Sequence, residues 1–230
     1  MLLLSIHAPK YFVTLQLITN VLILSAYFLI AFAIGEIGYR FLKIHPEYTR
    51  KWSHISSGFL ALLFPYMIDD WVYVALICSS FTVILVASQP LGLLPSINAV
   101  NRKTYGSILF PLAVLISFLA YKFSGNQLAF YFLPVLTLAI SDMLAAVIGK
   151  RFPIMPISSF NETKSLGGCL AFAISCVLIF ISMSLFGEKL SMTSILIIPP
   201  MVACVELYSP KGADNLTIPL AVITGLYIFN

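Results

Sequence analysis

Charge is what this sequence has least of. Only 10% of its 230 residues are Asp, Glu, Lys or Arg, against about 25% in an average soluble domain. Hydrophobic residues make up 60% and the mean hydropathy is +1.00. A soluble fold of this length could not bury that much apolar surface, so the excess faces lipid. A soluble enzyme and a disordered chain are thereby excluded. The net charge of +4 is too small for a nucleic-acid binder. Cysteine is also scarce. Cys78, Cys169, Cys176 and Cys204 form no CxxC pair and all lie in apolar stretches. That excludes a disulfide scaffold and fits ordinary packing. Internal repeats, low-complexity tracts and Gly/Ser linkers are absent, so residues 1–230 read as one membrane domain.

What the chain has is long apolar runs. A membrane helix needs about 20 mainly apolar residues. Spans are predicted near Phe12–Ile37, Ile55–Ile68, Trp71–Ser88, Ser107–Tyr121, Leu128–Gly149, Gly168–Phe186, Met192–Leu207 and Leu216–Phe229. The expected fold is an all-α, polytopic bundle of eight transmembrane helices, or seven if a short span fails to cross. The first span is too long for a signal peptide and lacks a small-x-small cleavage site. The few charges alternate with the loops. Arg40, Lys43, Arg50 and Lys51 fall in the first loop and Arg102 and Lys103 in the third. Lys150, Arg151 and Lys164 fall in the fifth and Lys211 in the seventh. Ten of the thirteen basic residues thus lie on odd-numbered loops. The positive-inside rule puts those loops in the cytosol and both termini outside.

Four clusters on that cytosolic face carry residues able to do chemistry. Asp142 lies inside the fifth span, about seven residues or roughly 10 Å from its cytosolic end. A carboxylate there is costly and is a functional candidate by default. Gly149, two turns on, shares its face, and small residues let a partner backbone or ligand come close. In Arg50-Lys51-Trp52-Ser53-His54, a helix would put Arg50, His54 and Ser57 on one side. Arg offers a planar fork for phosphate oxygens and Lys a movable charge; a topological anchor explains the same pair. Lys164-Ser165-Leu166-Gly167-Gly168 opens the sixth span, where backbone amides at a helix start suit an anion. Glu206 ends the seventh span. Asp214-Asn215 follows, as a helix cap or as metal ligands. Arg102 sits at a further basic entry. Cations, carboxylates and Gly-rich turns on one face suit a nucleotide with Mg²⁺, since phosphoryl transfer needs mainly positioned charge.

The order of these motifs resembles the CTP-dependent polyprenol kinase family, which includes phytol kinase, dolichol kinase and the yeast-type diacylglycerol kinase. The similarity is carried by Arg50-Lys51-x-x-His54, Ser141-Asp142-x-x-Ala145-x-x-x-Gly149-Lys150, Lys164-Ser165-x-Gly167-Gly168 and Asp214-Asn215-Leu216-Thr217-Ile218-Pro219-Leu220. It runs from about Arg40 to the C-terminus. The resemblance implies phosphorylation of a membrane lipid alcohol by CTP with a divalent cation, expected to be Mg²⁺. It implies catalytic roles for Asp142, Arg50, Lys51 and His54. Nucleotide contacts are expected from Arg50, Lys51, Gly149, Lys150, Lys164, Ser165, Gly167 and Gly168. Asp142 and Asp214 are the expected metal ligands, with Glu206 as a secondary one; Arg102 and Asn215 are further candidates for the site in other roles. The sister phosphatidate cytidylyltransferases share the Asp helix but not the Asp214-Asn215 ending. Two alternatives stay open: a CTP:phosphatidate cytidylyltransferase, and a membrane carrier or scaffold without activity. Expected partners are CTP, a lipid alcohol and the bilayer, not nucleic acid; a homo-oligomer is left open.

Overall fold

The computed structural model describes residues 10–99, 105–159, 162–210 and 212–230. Helices α1 (Lys10–Arg40) and α2 (Pro46–Ala61) form an antiparallel pair. A short α3 (Phe64–Met67) leads to α4 (Trp71–Ser88), then α5 (Pro95–Asn98) and α6 (Gly106–Phe123). Next come α7 (Ala129–Leu136), a π turn at Thr137–Ser141 and α8 (Asp142–Arg151), one continuous apolar rod. Strands β1 (Pro156–Ser159) and β2 (Glu162–Ser165) pair antiparallel, with Ile157 opposite Lys164. Helices α9 (Leu166–Leu185), α10 (Met192–Tyr208) and α11 (Asp214–Phe229) complete the chain.

Among the described residues, five helices are long and apolar enough to cross a membrane: α1, α4, α6, the α7–α8 rod and α9. Helices α10 and α11 are shorter but apolar. The protein is therefore multi-pass. Large apolar side chains such as Leu22, Val83 and Leu178 stand more than half exposed on the outer faces, as lipid contact demands. At 31 residues α1 is about 46 Å long, well over the bilayer core.

Two expectations need correction. The predicted span Ile55–Ile68 is not one helix: α2 starts at Pro46 and stops at Ala61, and α3 follows. Pro65 explains the stop: it lacks an amide hydrogen and cannot continue the ladder to the Ala61 carbonyl four residues back, a loss tolerated in the first turn of α3 where it sits. Pro46 explains the early start, because proline suits the first helical turn, and the His45 ring accepts from Glu47 N at 3.3 Å. α2 is thus half polar. The bundle is also not purely helical, as the all-α expectation had it, because residues 156–165 just before the sixth span form the β1–β2 hairpin.

Other ends follow local chemistry. Asp70 Oδ1 accepts from Val72 N at 3.0 Å to start α4, and Ser191 Oγ accepts from Ser194 N at 3.0 Å to start α10. Within the core, Tyr131 is fully buried and donates its hydroxyl to Ala61 O at 2.7 Å. That bond satisfies a carbonyl at the C-terminal end of α2 and fixes α2 against α7.

Candidate active site

The π turn organises the site. Asp142 N–H bonds Thr137 O, five residues back, instead of Leu138 O, four back. Leu138 O instead meets His54 Nε2 at 3.1 Å. A carbonyl only accepts, so Nε2 carries the proton and Nδ1 is the acceptor of the ring. Gly58, one turn after His54, makes the approach of α2 possible. A Cβ at Gly58 would lie 2.6 Å from the Ala139 Cβ inside the π turn. Single π turns of this kind occur often at functional sites.

Small residues bring the hairpin and α9 to Asp142. A Cβ at Gly149 would come within 3.3 Å of Gly168 Cα, and one at Gly168 would sit 2.8 Å from Ala145 O. Gly168→Ala is therefore expected to force α8 and α9 apart and cost about 1–3 kcal/mol, as overpacking does. Thermal unfolding of the purified protein in detergent checks this; an unchanged midpoint would contradict the packing.

The close crossing places Lys164, at the end of β2, among three carboxylates. Nearest ligand oxygens of Asp142, Glu206 and Asp214 all lie within 4.8 Å of one another. Lys164 Nζ donates to Glu206 Oε1 at 2.8 Å and also to the Glu206 backbone carbonyl, and lies 3.4 Å from Asp214 Oδ2. Burial of Lys164 works against its charge, but Glu206 and Asp214 outweigh it and hold the ammonium above its ordinary value. Three carboxylates this close repel, and one ammonium leaves the cluster short of positive charge. Asn215 Oδ1 beside them is buried with no hydrogen-bond partner. Hard oxygens in this number fit a Mg²⁺ ion. Asp142, Glu206 and Asp214 would hold it.

The cations form the other side. Arg50 Nη2 is 3.6 Å from Glu47 Oε2, and Lys150 Nζ is 3.9 Å from the same oxygen. Glu47 thus ties α2 to α8. Sequence reasoning missed Glu47; its signal is the i,i+3 spacing to Arg50 once α2 starts at Pro46. Arg50 Nε is buried without a hydrogen-bond partner, a donor suited to an anion. Lys51 also faces the cavity.

Arg50, Lys51, His54, Asp142, Gly149, Lys150, Lys164, Ser165, Gly168, Glu206, Asp214 and Asn215 all border one cavity of about 800 Å³. Gly167 does not; a Cβ there would lie 2.8 Å from Phe152 O, so close packing accounts for this glycine. Arg102 lies outside the described residues. The start of α9 is not an open anion cradle. Its amides are taken: Leu166 N by Met155 O, Gly167 N by Ile154 O, and Gly168 N by Ser165 Oγ at 3.1 Å. In this site side-chain cations, not helix-end amides, are what an anion would meet.

Compared with known proteins, the chain is 32% identical over 189 residues to the phytol kinase of Synechocystis sp., a match covering 78% of each chain. No family model matches it, and no solved structure does.

Proposed function

The chain belongs to the polyprenol kinase family that includes phytol kinase, and from that premise we propose that it phosphorylates a prenol-type lipid alcohol with CTP as donor. One observation carries the proposal. A single cavity joins the carboxylate and cation cluster to an apolar chamber inside the bundle. A water-soluble phosphate donor and a lipid alcohol can meet there.

The transfer forms a bond from the alcohol oxygen to the γ-phosphorus and breaks the bond from that phosphorus to the bridging oxygen, releasing CDP. Mg²⁺, held by Asp142, Glu206 and Asp214, would neutralise charge on the phosphate oxygens. Arg50, Lys51 and Lys150 bind the phosphates from α2 and α8. Lys164 keeps the carboxylates together. His54 holds its ring by the bond to Leu138 O and offers Nδ1 to the alcohol proton.

The direct test is turnover of purified protein with γ-labelled CTP and a panel of lipid alcohols. Label is expected in a prenol monophosphate. Equal use of ATP would remove the CTP assignment, and no labelled lipid with any nucleoside triphosphate would remove the kinase assignment.

The orientation belongs to the same proposal. Arg40, Lys43, Arg50, Lys51, Lys150, Arg151 and Lys164 lie in or beside the elements that meet at the site, so this end faces the cytosol, with both termini outside and up to eight crossings. Membrane-impermeant thiol reagents outside the cell should modify cysteines engineered at Asp70 or Lys189 and spare one at Lys150. Modification at Lys150 would invert the map.

A further inference from the structure

The cavity continues past His54 into the bundle. The His54 ring meets Phe110 edge-on at 4.9 Å between centroids, and beyond it the walls become aromatic. Phe28 and Phe32 of α1, Phe64 of α3 and Phe81 of α4 line this inner half. They pack on each other at one end: Phe28 to Phe81 at 5.3 Å, Phe28 to Phe64 at 5.9 Å and Phe32 to Phe81 at 5.7 Å. All four are less than a tenth exposed, so they face inward and not the lipid.

Close-packed interiors normally leave few voids, because an empty apolar cavity forfeits contacts and stability. This one carries the carboxylate and cation cluster at its polar end, and the four rings gather with Ile77 and Cys78 along its apolar walls. We propose that the chamber holds the hydrocarbon tail of the acceptor alcohol and that the Phe28–Phe32–Phe64–Phe81 cluster is its end stop, setting the longest chain the enzyme takes. The inference rests on the kinase assignment of the same site. The hydroxyl lies at the His54 and Asp142 end, and the methyl-branched tail runs along the rings toward Phe81. Acceptors that fit are single-chain prenols of limited length. A long-chain polyprenol is disfavoured because its tail meets the rings before its hydroxyl reaches His54.

The test is competition for turnover among farnesol, geranylgeraniol and a long-chain polyprenol in one reaction, comparing the wild-type protein with Phe81→Ala. The product ratio of long to short chains should rise by about tenfold in the variant, the scale on which pocket shape discriminates apolar groups. Phe81→Trp should move it the other way. If Phe81→Ala fails to fold, Phe81→Leu supplies the same comparison with less lost packing. A folded, active variant with an unchanged ratio would overturn the proposal. Binding is read separately with a prenol carrying a photoreactive group at its tail. Crosslinks are expected on α4 at Cys78 or Phe81; crosslinks confined to the outward-facing Val83 and Ile84 would also overturn it. Failure of the kinase assignment looks different: no alcohol is phosphorylated by the wild-type protein, whatever the tail crosslinks to.

Discussion

Asp142→Asn is expected to abolish turnover, by about a thousandfold or more, while the protein still folds and inserts. The substitution keeps shape and removes one charge from the only cluster of its kind among the described residues. Removing a single group that stabilises developing charge commonly costs about a hundred- to a thousandfold in rate, and a lost metal ligand adds to that. Folding should not suffer. Asp142 faces Glu206 and Asp214 across less than 4.8 Å, so losing its charge relieves repulsion. Without Mg²⁺, the melting midpoint of the variant should equal or exceed that of the wild-type protein. Initial rates at saturating CTP decide the matter; near-normal turnover would remove Asp142 from the site.

Lys164→Gln should instead unfold the protein easily. The Lys164 and Glu206 side chains are only 17% and 7% exposed. Breaking a buried pair by removing one partner costs about 3–5 kcal/mol, because the other charge stays buried and uncompensated. Added Mg²⁺ should partly restore the midpoint, since a cation bound among the carboxylates replaces the lost positive charge. The pH dependence has a definite sign. The Lys164 ammonium is held above its ordinary value of 10.5. Its stabilising contribution is therefore complete below that value and is lost as pH rises through the higher folded value. The wild-type protein should lose its advantage over Lys164→Gln only in strong alkali. Equal midpoints for the two proteins at neutral pH, with or without Mg²⁺, would show that the ion pair contributes nothing.

Much of this arrangement is legible in the sequence because the bilayer makes polar residues conspicuous. α4 has the predicted bounds, Trp71–Ser88, since Asp70 marks its start and an unbroken apolar run fills it. Asp142, Glu206, Asp214 and Lys164 stand out as charges in or beside apolar segments, and the fold brings these four together. α2 was harder. Its first half carries Glu47, Arg50, Lys51 and His54, so a hydropathy window sees only the second half and shifts the helix toward Ile68, past the break at Pro65. Glu47 was hidden by the same shift. The π turn has no signature in side-chain type. It appears only once α2 packs on Ala139 through Gly58 and His54 reaches the Leu138 carbonyl. The hairpin is too short for alternation to show. Its consequence, the occupied amides at the start of α9, is a matter of backbone path that glycine and serine positions alone do not fix.

Transfer of the terminal phosphoryl group of CTP to a lipid alcohol is distinguished from other chemistry at this site by reactions of the purified protein with Mg²⁺, geranylgeraniol or phytol, and CTP labelled in parallel at the α or the γ phosphate. Lipid extracted from the γ-labelled reaction should carry the label, and lipid from the α-labelled reaction should carry none. Label from the α phosphate in the lipid would mean cytidylyl transfer, and no label from either position would mean that the cluster around Asp142 is not a phosphotransfer site.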